Sequence, residues 1–231
     1  MDFLTLPLDS SATDEDCLSI IKIGDDAASS DPLVPLLWPN GPPIISPDPN
    51  ATTTPTCPRQ ESIDQLHCHF SDTANTWFKV VDQETGETIA YTWWRFERGT
   101  TMAEWKENWE CRWMPKGVNR ELADAISGRR LLQRPRLLGE KPFYALKELY
   151  VLPEYQCKGI GGSLVARFVE KANELGLRAY IESTENGRAL YLRHGFREVD
   201  RVTIDLGKYG GEKGKKCSFG SLMKDPDPHW W

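Results

Sequence analysis

The chain lacks any run of about 18 uninterrupted apolar residues, so no membrane span is expected. Its opening stretch, MDFLTLPLDSSATDEDC, carries acids where a secretory leader carries bases, and the expectation is a soluble cytoplasmic protein. Paired cysteine spacings are missing too. Cys17, Cys57, Cys68, Cys111, Cys157 and Cys217 are scattered, which predicts reduced thiols rather than a disulfide frame or a zinc cage. One metal-like cluster exists, His67, Cys68 and His69 in LHCHF, but zinc needs about four converging ligands and no partner cluster is visible, so no metal is expected. There is no basic stripe and no nucleic-acid motif. Basic residues stand singly among acids, which argues against nucleic acid as a partner.

What is present suits one domain of ordinary size, 1–231, since 231 residues at 39% hydrophobic content can bury a sizeable core. The net charge of −6 hides an asymmetry: residues 1–75 hold 12 acidic and 2 basic side chains, and residues 76–231 hold 22 acidic and 26 basic. An anion would settle on the second part.

Residues 2–8 suit a short strand, and TDEDCLSIIKIG reads as a capped helix start. Segment 31–58 spends nine of the sixteen prolines, which predicts a long irregular connection. Helical spacing returns in PRQESIDQLHCHF, with Ile63, Leu66 and Phe70 on one face. TWFKVVD and TIAYTWWRF, joined by a short Gly-bearing turn, predict a hairpin. An insertion over 99–140 carries Trp105, Trp109 and Trp113 at intervals of four, a stripe that either packs on a helix or lines a substrate site.

PFYALKELYVLP then reads as a strand. From Ile160 a helix puts Leu164, Val165, Phe168, Val169, Ala172 and Leu175 on one face and closes at Gly176. RAYIEST is a strand, NGRALYLRHG a short helix, and FREVDRVTIDL a strand with Val202, Ile204 and Leu206 on one side; KKCSFGSLMK ends the series. Hairpin and crossover connections together imply an α/β fold with a mixed sheet.

The stretch LYVLPEYQCKGIGGSLV sets three glycines between a strand and a helix. Such a turn is suited to an anion, because the first N–H groups of the helix lack internal partners and the peptide dipoles put partial positive charge there. The Lys-Ser/Thr pair of a Walker loop is missing after Gly159, and Leu164 stands where a dinucleotide fingerprint needs its third glycine. A third pattern, [RQ]-x-x-G-x-[GA], is met by Gln156, Gly159 and Gly161 in QCKGIG.

That turn resembles the acetyl-CoA loop of the GCN5-related N-acetyltransferase (GNAT) superfamily. Downstream, ALYLRHGFREVD resembles the family's fourth helix and the Gly-Phe that opens its sixth strand, with Tyr191 four residues before the glycine. The resemblance covers about residues 76–223 and matches best over 143–206. It implies a GNAT fold, a mixed and mostly antiparallel central sheet of about seven strands flanked by helices. It also implies acetyl-CoA as co-substrate and an amine acceptor that attacks directly, without a covalent acyl-enzyme. The alternative is a catalytically silent acyl-CoA-binding or partner-binding module of the same fold.

Residue by residue, the resemblance assigns the cofactor pyrophosphate to main-chain amides from Cys157 through Lys158, Gly159, Ile160, Gly161 and Gly162 to Ser163, the stretch Gln156 introduces. Tyr150 and Val151 would lie where the fourth strand parts from the fifth and pairs with the pantetheine arm, an N–H near Val151 facing the thioester oxygen. Tyr191 matches the tyrosine that protonates the departing thiolate; a phenol with pKa near 10 keeps its proton at neutral pH, although giving it to a thiolate near 8.5 is uphill. Glu148 corresponds to a strand glutamate acting as base, directly or through water. The chain departs from the family at Thr184, where many relatives carry asparagine seven residues before the tyrosine, with Asn186 two places later.

Overall fold

The computed structural model describes residues 2–29, 31–39, 58–110 and 117–227. The chain begins with β1 (Phe3–Leu8), α1 (Asp14–Ser29), α2 (Val34–Leu37), α3 (Pro58–Ser71) and the hairpin β2 (Asn75–Asp82) and β3 (Thr88–Glu97). The insertion supplies α4 (Met102–Glu110), α5 (Arg120–Ala123) and α6 (Arg129–Leu138), the last two joined by a π-helical turn. Then come β4 (Phe143–Val151), α7 (Ile160–Glu174), β5 (Arg178–Thr184), α8 (Glu185–Arg193), β6 (Arg197–Asp205) and β7 (Lys216–Lys224).

One seven-stranded sheet runs in the order β1-β2-β3-β4-β5-β7-β6. Neighbours are antiparallel except β4 and β5, which are parallel and linked through α7. This is the α/β arrangement and mostly antiparallel sheet expected from the sequence. The proline-rich connection falls largely on residues 40–57, outside the described residues. Within its described part, one helical turn forms at Val34–Leu37, because Pro35 sits in the first turn, where a missing N–H costs nothing.

The start of α1 is a capping box: the Thr13 hydroxyl accepts from the Asp16 amide at 3.2 Å, and the Thr13 amide donates to the Asp16 carboxylate at 2.9 Å. Helices α1 and α3 cover one face of the sheet. There Phe70 meets the ring of Trp77 edge-on at 5.2 Å, and Trp77 stacks on Trp93 at 5.1 Å. Helix α7 covers the other face, where the fully buried Phe168 packs on Tyr144 at 5.4 Å and Trp94 at 5.6 Å. Burying a ring of that size contributes about 2–3 kcal/mol, enough to fix the helix on the sheet.

On α7 the expected apolar stripe forms, with Leu164, Val165, Phe168 and Ala172 buried, but Leu175 is 45% exposed. The reason lies in how the helix ends. Gly176 takes φ 62°, its amide donates to Asn173, and the Leu177 amide donates back to Ala172, a Schellman closure that hands the apolar contact to Leu177.

An ion-pair network ties α8 to the edge strand β6. Arg201 donates to Glu198 at 2.6 Å and to Glu185 at 2.6 Å, and Arg188 pairs with the same Glu198. Hydrogen bonds from Arg201, opposed by partial burial and joined by Arg188, hold the Glu198 carboxyl down at about 2. A depressed carboxyl stabilises the fold above its ordinary range near 4.5 and loses that contribution as pH falls toward 2. Glu198→Gln is therefore expected to lower Tm by about 2–4 °C at pH 7, with the gap closing as the medium is acidified; thermal melts across pH check it.

Candidate active site

The sheet opens where β4 and β5 stop pairing. Their parallel register runs from Phe143 opposite Arg178 to Leu146 opposite Ile181 and goes no further, while β4 continues to Val151. Among the described residues, the edge of β4 from Lys147 to Val151 has no strand neighbour on that side. A bulge marks the same point: Trp93 pairs with Glu148 but Trp94 pairs with Leu146, so Lys147 is the extra residue. One extra residue resets the two-residue alternation, and Glu148 and Tyr150 join Phe143 and Ala145 on the α1 face. The Glu148 carbonyl is met by the Thr92 hydroxyl at 2.8 Å, which in turn accepts from Trp94 Nε1 at 2.8 Å.

The Glu148 side chain is largely withdrawn from solvent. Its Oε2 accepts a hydrogen bond from the Tyr91 hydroxyl at 2.9 Å. Burial raises its pKa, against smaller lowering effects from the Tyr91 hydrogen bond and the Lys147 charge. Lys147 itself is drawn to Glu97 at 2.7 Å. Tyr150, 37% exposed, leans on Tyr91 at 5.4 Å between ring centres. Burial, then Glu148 and Asp31, push its phenol up.

Beyond β4 a short 3₁₀ turn at Pro153–Tyr155 leads into the glycine segment. Gln156 reaches back to donate to the Val151 carbonyl at 3.0 Å, pinning the loop to the end of the strand. Cys157 is exposed and takes φ 60°, the one positive φ outside glycine among the described residues. A side chain held there costs about 1–2 kcal/mol, so the loop's path is set by its surroundings. Gly159 follows at φ 87° as the N-cap of α7. The helix's own ladder begins with the Ser163 amide on the Gly159 carbonyl at 3.0 Å, which leaves the amides of Ile160, Gly161 and Gly162 as orphan donors.

Packing alone does not demand glycine at positions 161 and 162, where an added Cβ would make only ordinary contacts. At Gly161 an added Cβ would stand 3.4 Å from Leu190 of α8, and at Gly162 it would stand 3.6 Å from His194 Nε2. Lys158 holds its ammonium 4.8 Å from the centre of the Tyr155 ring, beside the turn. The Ser163 hydroxyl donates to the Ile160 carbonyl at 2.8 Å and is thus turned toward its own helix. A cleft of about 480 Å³ opens next to the turn, between Lys158, Gly159, Ser163 and the β1 residues Phe3 and Thr5.

Tyr191 lies on α8, across the opening from β4 and 7% exposed. Its ring meets Phe196 edge-on at 6.1 Å. Burial and the neighbouring Tyr150 push its phenol up to about 12. Thr184 ends β5 and precedes α8 without a side-chain cap, exposed to solvent.

The LHCHF residues go separate ways. His67 Nε2 meets Asp14 at 2.8 Å and Cys17 Sγ at 3.7 Å; Cys68 is exposed; His69 lies 5.2 Å from the Trp93 ring. Cys17, His67 and Asp14 do not make a nucleophile, because both partners approach the same ring nitrogen and burial pushes the thiol up to about 11. Among the described residues no group of three or more His, Cys, Asp or Glu converges as a metal site.

Sequence reasoning missed Tyr91, which lies 57 residues from Glu148 and meets it only because β3 pairs with β4. The expected tryptophan stripe is only partly on view. Trp105 on α4 takes the Arg134 guanidinium 5.8 Å from its ring centre; Trp113 lies outside the described residues, as does the side chain of Trp109. Together with Arg95, Arg98 and Glu104, Trp105 and Arg134 line a cleft of about 740 Å³ on the face that carries Glu148.

Comparison with known proteins bears on this geometry. The sequence model of the Acetyltransferase (GNAT) domain matches residues 124–198, a span that holds β4, the glycine turn and Tyr191. No curated protein sequence matches the chain. Among solved structures, the chain is similar to a GNAT superfamily phosphinothricin acetyltransferase from Sinorhizobium meliloti in complex with AcCoA, at 15% identity over 98% of this chain and 89% of the other, TM-score 0.54. It is similar to a mosquito arylalkylamine N-acetyltransferase-like 5b at 13% identity over 97% and 100%, TM-score 0.56. An agmatine N-acetyltransferase superposes at 13% identity over 97% and 100%, TM-score 0.59. At these identities the likeness concerns the fold. No helix among the described residues is long and apolar enough to cross a membrane.

Proposed function

Because the Acetyltransferase (GNAT) domain model matches residues 124–198 and the fold is shared with GNAT structures, we propose that the chain is a GCN5-related N-acetyltransferase that moves the acetyl group of acetyl-CoA to an amine by direct attack in a ternary complex. The observation that carries this reading is the open edge of β4, Lys147–Val151, leading straight into the glycine turn. An extended pantetheine arm finds unpaired main chain along that edge, and the diphosphate at its end reaches the amides of Ile160, Gly161 and Gly162. Lys158 adds a cation beside them. An N–H near Val151 faces the thioester oxygen and stabilises the negative charge that grows on attack.

On the α1 face, Glu148 takes a proton from the acceptor ammonium, since only the neutral amine has a lone pair to offer. Nitrogen attacks the thioester carbon, the C–S bond breaks, and Tyr191 supplies a proton to the departing sulfur. Cys157 takes no part in bond making. Trp93 and Tyr150 give the acceptor an aromatic floor, and the cleft beside Trp105 gives its body a place on the same face. Two neighbours are named for agmatine and arylalkylamines, which supports a search among cationic and aromatic amines.

The test is an acetyl-CoA-dependent thiol-release screen across polyamines, arylalkylamines, aminoglycosides, amino acids and N-terminal peptides, alongside calorimetry with acetyl-CoA and CoA. Turnover with at least one class is expected. Heat without turnover on any amine would point to a silent coenzyme-binding module, and no heat with either coenzyme on folded protein would overturn the assignment.

A further inference from the structure

We propose that Tyr91 is a positioning residue for the transfer: its hydroxyl holds one oxygen of Glu148, leaving the other oxygen as the one that accepts the acceptor's proton. This rests on the acetyltransferase reading above and adds a residue to it. The Tyr91 hydroxyl lies 2.9 Å from Glu148 Oε2, and Oε1 has no hydrogen-bond partner among the described residues. The tyrosine ring is fixed on two sides, by Trp77 at 6.1 Å and by Tyr150 at 5.4 Å. Above it, α1 passes so closely that a Cβ at Gly24 would stand 3.3 Å from the hydroxyl oxygen. The hydroxyl is confined between helix and sheet, with the carboxylate as its acceptor.

The proton inventory makes the two oxygens unequal. Burial, followed by the charge of Glu148, drives the Tyr91 phenol far above its ordinary range, so it gives up no proton during turnover and acts only as a donor. In the step itself an N–H bond of the acceptor ammonium breaks and an O–H bond forms at Oε1, while the Tyr91 proton stays on Tyr91.

Other groups face this pair. Lys147 and Tyr150 are on the same strand, Asp25 in the last turns of α1 acts on Tyr91, Asp31 acts on Tyr150, and Tyr150 in turn acts on Tyr191 of α8. Of these, Tyr91 is the donor bonded to the carboxylate. A hydrogen bond to the ionised form lowers a carboxyl pKa, so removing it moves Glu148 further up.

The experiment is the pH profile of kcat/KM for Tyr91→Phe, with the most active amine from the screen. Phenylalanine keeps the ring contacts and removes only the hydroxyl. The acid limb is expected to move to higher pH, with about a tenfold loss on that limb, less than about a threefold loss on the plateau, and an unchanged KM for acetyl-CoA. A profile that superimposes on the wild type, or a loss that is uniform in pH, overturns the proposal. If Tyr91→Phe does not fold, Gly24→Ala decides, since its methyl crowds the hydroxyl and alanine favours the helix; the same limb shift supports the role and an unmoved limb overturns it. Glu148→Gln separates the two layers: full turnover in that variant removes Glu148 as the base and with it the parent reading of this face.

Discussion

Replacing Tyr191 by phenylalanine should lower kcat by about 10²- to 10³-fold while leaving the affinity for acetyl-CoA unchanged. Tyr191 sits at 7% exposure with its phenol pushed up to about 12, so it is protonated throughout the physiological range and can donate to the sulfur as charge builds there. The same shift makes transfer of that proton to a free thiolate uphill, so the phenol first donates a hydrogen bond that strengthens as the C–S bond breaks, and its proton passes to the sulfur as the coenzyme leaves as the thiol. Phenylalanine preserves the edge contact with Phe196 at 6.1 Å and leaves no cavity, which separates chemistry from folding. Steady-state thiol release gives kcat and calorimetry gives the coenzyme Kd. Undiminished kcat would show that the sulfur takes its proton from another donor.

Gly162→Asp is expected to weaken coenzyme binding by a hundredfold or more and yet to keep or raise Tm. The position lies in the first turn of α7, where a carboxylate is favoured by the helix dipole and by His194, whose Nε2 would lie 3.6 Å from the new Cβ. The same carboxylate would sit among the orphan amides that a diphosphate needs. Two like charges about 5 Å apart at an effective dielectric near 20 repel by about 3 kcal/mol, which corresponds to more than a hundredfold in Kd. Calorimetry and a thermal melt on one preparation check both halves. A variant that binds as well as wild type would place the diphosphate elsewhere.

The sequence carried a good part of this architecture because its strongest signals are local. The β2–β3 hairpin, the α7 stripe from Leu164 to Ala172 and the glycine punctuation at Gly159 and Gly176 each follow from a few neighbouring residues. The readings that departed needed tertiary information. Leu175 fits the helical period but falls at the cap, where the Schellman closure turns the chain. The turn at Val34–Leu37 sits in a stretch whose prolines mask it.

At the candidate site the main difficulty was parity. Read as an unbroken strand, PFYALKELYV would put Phe143, Ala145, Lys147 and Leu149 on one face. The bulge at Lys147 puts Glu148 and Tyr150 there instead, and no residue in the stretch announces it. Tyr91 was hidden for a related reason: its link to Glu148 depends on strand register across an insertion of many residues. Chemistry-bearing residue types were visible from the chain alone, whereas which of them share a face depended on one extra residue in one strand.

That interrupted pairing has a mechanical side. The sheet consists of two lobes, β1–β4 and β5-β7-β6, sewn together by only four residue pairs, Phe143–Leu146 against Arg178–Ile181. A guest laid along the free margin of β4 works as a splint between those lobes. Its grip then sets how independently they breathe, and an empty cleft becomes the seam along which the molecule yields first.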